Sequence, residues 1–221
     1  MAKLVFDEVG KRFYETGVKN VVLYVQDGGT YGNGVAWNGV TAINESPSGA
    51  EATPLYADDI KYLNLVSNEE FGASIEAYTY PDEFMVCDGS AELVQGVTVG
   101  QQARKTFALV YKTTVGNDTE NNEYGYKLHV IYGCLAAPSE KAYATINDSP
   151  EAITFSWEIT TTPVAVGDGF KPTSCVTIDS NKVDATKLAA LEAKLYGSDG
   201  EGDESAPTLL MPAEIMALLK A

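Results

Sequence analysis

The sequence predicts a mainly β fold with a short helical extension at its C-terminal end. Three observations carry that prediction. Ile153, Phe155, Trp157 and Ile159 alternate strictly with Thr154, Ser156, Glu158 and Thr160. Period two marks a strand with one face on a core and the other toward water. Next, two segments of about ten residues, each ~33 Å long when extended, flank a polar, turn-rich tip at residues 116–123. Phe107, Leu109, Tyr111, Thr113 and Val115 share one face of the first; Tyr126, Leu128, Val130, Tyr132 and Cys134 share one face of the second. Finally, 13 Tyr together with plentiful Thr, Val and Gly favour strands and turns over helices.

The elements follow in chain order. Residues 21–25 are a short apolar run ended by Asp27, Gly28 and Gly29, and residues 31–37 read as a strand broken by glycine. Residues 41–59 are polar and proline-interrupted, too long for a hairpin connection; unstructured connections beyond ~12 residues are usually functional. A loop is expected there, mobile in a lone chain. Residues 60–66 alternate weakly and 73–80 more clearly. Pro81, Asp82 and Glu83 open a short helix that Asp88 and Gly89 end. Pro163 ends the alternating strand, and residues 175–178 form a further one. Near Asp179 the character changes. Asp184 caps a helix over 185–196 with Leu188, Leu191 and Leu195 on one stripe, and Gly197 stops it. Residues 197–206 are acidic and rich in Gly and Ser, a flexible linker. A last helix over 212–220 carries Ile215, Met216, Leu218 and Leu219. The organisation is a β domain over 1–178 and a helical extension over 179–221.

Charge and cysteine usage narrow the function. The chain has 31 acidic and 15 basic residues, a formal charge of −16. A protein that grips nucleic acid needs lysine and arginine to neutralise phosphates, and this one repels DNA over most of its surface. Acidity alone does not separate a DNA-repelling conduit from a merely soluble protein. Cys87, Cys134 and Cys175 are odd in number and lack CxxC spacing, which suggests neither a disulfide framework nor a zinc site; reduced thiols are expected. The N-terminal residues carry acids early and no long apolar stretch, so no signal peptide is expected, and no apolar run approaches the ~20 residues that span a bilayer.

Catalytic motifs are not found. The single histidine, His129, sits mid-strand opposite Leu128 and Val130, and no serine lies in a GxSxG elbow. Gly29, Gly32 and Gly34 lack the strand-then-helix context and the lysine of a phosphate loop, which leaves a turn or bulge. Asp179, Asn181 and Asp184 have the wrong spacing for a calcium loop, and Asp199, Glu201, Asp203 and Glu204 read as a solvated linker. With 31 acids, some carboxylate pair lies close by chance, so paired carboxylates carry no signal. No enzyme, cofactor or metal is expected.

Four segments resemble one family. ESPSGAEATPLYADDIKYLNLVSNEEFGASIEAYTYPDEFMVCD at 45–88, NDSPEAITFSWEITTTPV at 147–164, the opening FDEVGKRFYETGVKNVVLY, and YGYKLHVIYGCLAAPSEKAY look like the major tail tube proteins of phages with long, non-contractile tails. The likeness spans roughly 3–178 in unbroken order. It implies a tail-tube-type β-sandwich or half-barrel with a flanking short helix. Such subunits form hexameric rings, give about four strands each to an inner barrel, and stack along a tape-measure protein between tail terminator and tail tip proteins. About twenty-four strands at ~4.8 Å spacing and ~40° tilt close a barrel ~48 Å across, or ~35 Å inside its side chains, wide enough for a duplex. The resemblance thus implies a virion protein assembled in the host cytoplasm, bound to no membrane, through which DNA passes without being read. The alternative is another structural phage β-sandwich, such as a head decoration, adhesin or baseplate component. Thr154, Ser156, Glu158 and Thr160 are either a lumen face or an outer solvent face. The 41–59 loop resembles the family's bridge between subunits and rings, with Ser46, Pro47, Glu51, Leu55, Tyr56, Asp58 and Asp59 as its expected contact residues.

Overall fold

Hairpins set most of the architecture. In the computed structural model, which describes residues 3–146, 148–167, 169–199 and 205–220, β1 (Phe13–Asp27) is followed by two short strands that fold back on it, β2 (Thr30–Tyr31) and β3 (Val35–Ala36). β4 (Val40–Glu45) comes next. β5 (Ser48–Gly49), β6 (Ala52–Ala57), β7 (Ile60–Val66) and β8 (Glu69–Glu70) then leave the main sheet, and β9 (Gly72–Ala77) returns to it. A 3-10 helix over Asp82–Val86 leads to a small hairpin, β10 (Ala91–Val94) and β11 (Val97–Val99). The long pair β12 (Phe107–Asn117) and β13 (Asn121–Ala136) precedes β14 (Phe155–Thr161), β15 (Cys175–Asp179), α1 (Ala185–Tyr196) and α2 (Pro212–Lys220). The main sheet is antiparallel in the order β2-β1-β12-β13-β14-β9-β4, with β15 added to β13 and β3 to β1.

The expected hairpin forms with a tighter tip than its polar sequence suggests. Asn117 is buried, and its side-chain oxygen accepts from the Thr119 amide at 3.1 Å and the Glu120 amide at 2.6 Å. That local bonding closes a short turn, so the strands run on to Asn117 and Asn121.

β13 is the corner of the sheet. Its residues 127–131 pair with β15 and its residues 134–136 with β14. Between them Gly133 holds φ +60, and a Cβ there would collide with the Thr162 carbonyl. The chain inserts an extra residue opposite β12 at this point, a bulge that bends the strand from one half of the sheet to the other. It also corrects one expectation. Leu128, Val130 and Tyr132 share a face as expected, but Cys134 turns to the opposite core beside Phe107, Leu109 and Ile131.

Two cores result. The inner faces of β1–β12–β13 and of β14–β9–β4 enclose Leu23, Leu109, Ile131, Ile75, Trp157 and Ile159. Phe84 of the 3-10 helix fills the centre, with ring centroids 4.5 Å from Trp37, 5.1 Å from Trp157 and 5.4 Å from Phe107. The second core lies on the other face of β1–β12–β13–β15, beneath the two helices. Residues 21–24 and 107–111 are therefore buried on both faces, which is why they read as unbroken apolar runs.

The helices are held by that second core. The Asp184 side chain accepts from the Thr186 and Lys187 amides at 3.0 and 3.2 Å, and Gly197 ends α1 at φ +83. A helix of twelve residues is marginal alone in water. Burial of Leu188, Leu191 and Leu195, worth about 1.5–3 kcal/mol each, stabilises it. The Tyr24 hydroxyl also donates to the Leu195 carbonyl. Of the expected linker 197–206, residues 200–204 lie outside the described residues; on either side, the backbones of Ser198 and Ser205 pair.

Candidate assembly surfaces

The clean alternation at 153–160 becomes β14, which starts at Phe155, so Ile153 and Thr154 precede the strand rather than open it. Phe155, Trp157 and Ile159 face the core, while Ser156, Glu158 and Thr160 are exposed. Register extends this polar face across two neighbours. Ser156 lies opposite Glu76, Glu158 opposite Ser74 and Thr160 opposite Gly72, and Asn44 of β4 lies opposite Ser74. The Asn44 amide donates to the Ser74 hydroxyl at 3.3 Å. β4, β9 and β14 contain no lysine or arginine. The structure thus offers a hydroxyl-rich, acidic face of three strands, exposed along β14 and half-buried along β9, next to the helix-covered half. Among the described residues β4 pairs only with β9, so its other edge carries no ladder, although β1 lies near it.

Residues 41–59 differ most from expectation. They are not a loop. Residues 41–45 complete β4, and the rest forms one side of a projecting ribbon: β5 pairs with β8, and β6 with β7. The turn at Asp58 and Asp59 has φ +51 and +62, a conformation with both central residues in the left-handed region that matches the twist of a two-residue hairpin. Aspartate tolerates that region because its short side chain bonds locally. Of the contact residues expected here, Leu55, Tyr56 and Glu51 lie on or beside β6, Asp58 and Asp59 at the tip, and Ser46 and Pro47 at the root, where the Ser46 amide donates to the Gly72 carbonyl at 2.8 Å.

The ribbon is apolar on one side and mixed on the other, with large apolar residues exposed on both. Leu55 opposite Leu63, Thr53 opposite Leu65 and Ala57 opposite Ile60 share one face, with Tyr62 bulging between Lys61 and Leu63; Ala52 opposite Val66, Pro54 opposite Asn64 and Tyr56 opposite Lys61 share the other. Every residue of β6 and β7 is exposed; Tyr56 and Tyr62 are each 70% exposed and Ile60 65%. The β10–β11 hairpin, not foreseen from the sequence, adds exposed Leu93, Val94 and Val97. Its signal was present as Gln95-Gly96 between apolar residues, a two-residue turn with Gly96 at φ +80. Leu4, Val5, Phe6 and Val9 are exposed as well.

The residues weighed for chemistry take structural places. Burial pushes the Cys175 thiol up to about 11 and the Cys87 thiol up to about 12, and raises Cys134 too, so the thiols stay protonated at neutral pH. Asp179 accepts from the Asn181 amide at 3.0 Å and Asp184 caps α1; among the described residues no group of His, Cys, Asp and Glu has a metal-binding arrangement. Gly34 lets the strand turn press onto Tyr24, where a Cβ would sit 2.8 Å from the ring. Asp88 is nearly buried, accepts from Trp157 Nε1 at 3.0 Å and pairs with Lys141 at 2.5 Å. Burial works against the Lys141 charge, but Asp88 outweighs it and raises that amine, which ties the segment after β13 to the aromatic core. No described helix is long and apolar enough to cross a membrane.

Comparison with known proteins leaves the family open. No family model matches the chain, and no curated protein does. Among solved structures it is similar to a chain described as "Cryo-EM Structure of an Extracellular Contractile Injection System, PVC sheath-tube complex in extended state", at 9% identity and TM-score 0.31, covering 79% of this chain and 93% of that one. A likeness of that size assigns no function, which therefore has to be argued from the surfaces of this chain.

Proposed function

We propose that this chain is a structural, non-enzymatic subunit that assembles with copies of itself into a tube, as the major tail tube protein of a phage-type particle with a long, non-contractile tail. Its hexameric rings would stack into the conduit for DNA.

The ribbon carries the proposal. A two-stranded hairpin is marginally stable in water by itself. One with Leu55, Ile60, Leu63 and Leu65 on one face and Tyr56 and Val66 on the other exposes apolar surface that solvent does not reward. Cover on both faces fits a partner on each side, the situation of a subunit in a stack. Copies of the same chain supply such partners in equal number. The β4 edge that carries no ladder supports lateral joining, because an unpaired row of backbone groups accepts a further strand.

The polar face fits the inside of such a tube. A wall with Glu76, Glu158, Ser74, Ser156 and Thr160 and no lysine or arginine repels phosphates within a Debye length of ~8–10 Å. DNA then slides without being held. The helix-covered half would face outward.

Electron microscopy of the purified protein tests this. Open-ended hollow tubes or rings are expected as concentration rises. Compact particles, or a chain that stays monomeric at any concentration, would favour a head decoration, adhesin or baseplate component instead.

A further inference from the structure

His129 is nearly buried where five strands meet, and its surroundings fix which nitrogen carries its proton. Its ring stacks on Tyr111 of β12, centroids 4.8 Å apart and planes 2° from parallel. Nε2 lies 3.0 Å from the Thr113 hydroxyl and 3.5 Å from Glu15 of β1. Nδ1 lies 3.5 Å from Glu45 of β4 and 3.5 Å from the Thr177 hydroxyl of β15. Thr113 has one proton, and it donates it to Glu15 at 2.5 Å. Nε2 must therefore donate to Thr113. In neutral imidazole Nδ1 is then a lone pair facing the Glu45 carboxylate, which already accepts from the Tyr111 hydroxyl at 2.5 Å.

One added proton reverses that contact. Imidazolium presents an N–H at Nδ1 as well, and the Glu45 contact changes from a lone pair against a carboxylate to a charge-assisted hydrogen bond. At 3.5 Å the pair is too far apart for a good bond, so closing it means drawing β4 inward. Glu45 is the last residue of β4, and Ser46 begins the ribbon. The geometry points to a proton-operated clasp: His129 in its charged form ties Glu45 to the sheet and holds the root of the ribbon, and in its neutral form lets it loosen.

The other ionisable groups around the ring are accounted for. Lys127, on the same strand, pairs with Glu15 at 2.5 Å. On β15, Cys175 lies near Thr177, and Asp179 pairs with Lys182 at 3.2 Å. Proximity to His129, together with the Tyr111 hydroxyl, holds the Glu45 carboxyl below its usual range, against the pull of burial. The clasp needs imidazolium and carboxylate together. Its window closes when the imidazole loses its added proton and, in acid, when the carboxylate gains one. It operates within the single chain, whether or not the chain forms tubes.

Hydrogen exchange read by mass spectrometry tests it, at a concentration where the chain sediments as a monomer and with rates corrected for the intrinsic effect of pH. Peptides covering Ser46 and Gly72 are expected to exchange about tenfold more slowly at pH 5.5 than at pH 8, the size of one charge-assisted contact. Glu45→Gln and His129→Gln should each abolish that difference. Glu45 is partly exposed, so its variant serves if the buried histidine cannot be replaced. Equal corrected rates at the two pH values in the unaltered chain, or a difference that survives Glu45→Gln, would overturn the clasp.

Discussion

The two halves of the main sheet are built alike and finished differently. β1, β12, β13 and β15 are covered on one face by the inner core and on the other by α1 and α2, and four consecutive residues, Val21 to Tyr24, are buried. β4, β9 and β14 share that inner core, but their other face carries exposed Ser156, Glu158 and Thr160 beside half-buried Ser74 and Glu76, and no described helix covers it. The ribbon that grows from this second half buries no residue of β6 or β7. The difference separates what the chain needs in order to fold from what it holds out to something else. Stability is concentrated under the helices; the surfaces available for assembly are concentrated on the open half and its ribbon.

That contrast is broken most visibly by removing the ribbon. With Ser46 joined to Phe71 through a short glycine turn, tubes should be lost entirely in micrographs while the cooperative melt of the remaining sheet survives. Intact tubes from that variant would detach the ribbon from assembly.

Next in size is a pair of leucines. Leu191, fully buried under α1, should cost about 2–5 kcal/mol in urea unfolding when changed to alanine. Leu65, 55% exposed on the ribbon, should change monomer stability by no more than ~0.5 kcal/mol on substitution by asparagine, yet impair assembly. If Leu65→Asn destabilised the monomer as much as Leu191→Ala, the division between folding half and assembling half would fail.

Acid acts where the halves meet. Glu45 is held below its ordinary value of 4.5, chiefly by its neighbour His129. Burial pulls Glu15 upward, but its bonds with Lys127 and Thr113 win and lower it as well. Because the folded values are depressed, the stability these carboxylates add is present above the ordinary value and lost as pH falls through the folded ones. The urea midpoint should therefore drop as pH falls below 4.5, and Glu45→Gln should flatten part of that drop.

The smallest expected effect on stability is at Glu158. Replacement by lysine on the open face should leave the monomer within ~0.5 kcal/mol of its original stability. In an assembled particle the same change should slow DNA passage, read as the rate of ejection, by giving phosphates a cation to rest on.

Much of the fold was legible in the sequence where one residue type had one reason to be there. Alternation located β14 and β9, and Asp184, the leucine stripe and Gly197 located α1. The Cys134 face was missed because a bulge adds one residue and reverses the alternation, and only the tight approach of Thr162 to Gly133 shows why glycine is there. Residues 60–66 alternate weakly and form β7 as expected, but its partner β6 was missed for another reason. Its residues bury nothing in the lone chain, so polar and apolar positions follow no single face, and Pro54 argued against a strand although a two-stranded ribbon tolerates proline at an edge. The polar face was legible as a face on β14, but its extension over β4 and β9 depends on register, which the sequence does not print. The surroundings of His129 were invisible for the same reason: Glu15, Glu45, Thr113 and Thr177 come from four separate strands.

A helical reconstruction of the assembled protein by cryo-electron microscopy tests the central claim most directly. The account predicts Ser156, Glu158 and Thr160 on the inner wall, α1 and α2 outside, and both faces of the ribbon covered by neighbouring copies. A tube with its helices inward, or with Tyr56 and Tyr62 still bare to solvent, would contradict it.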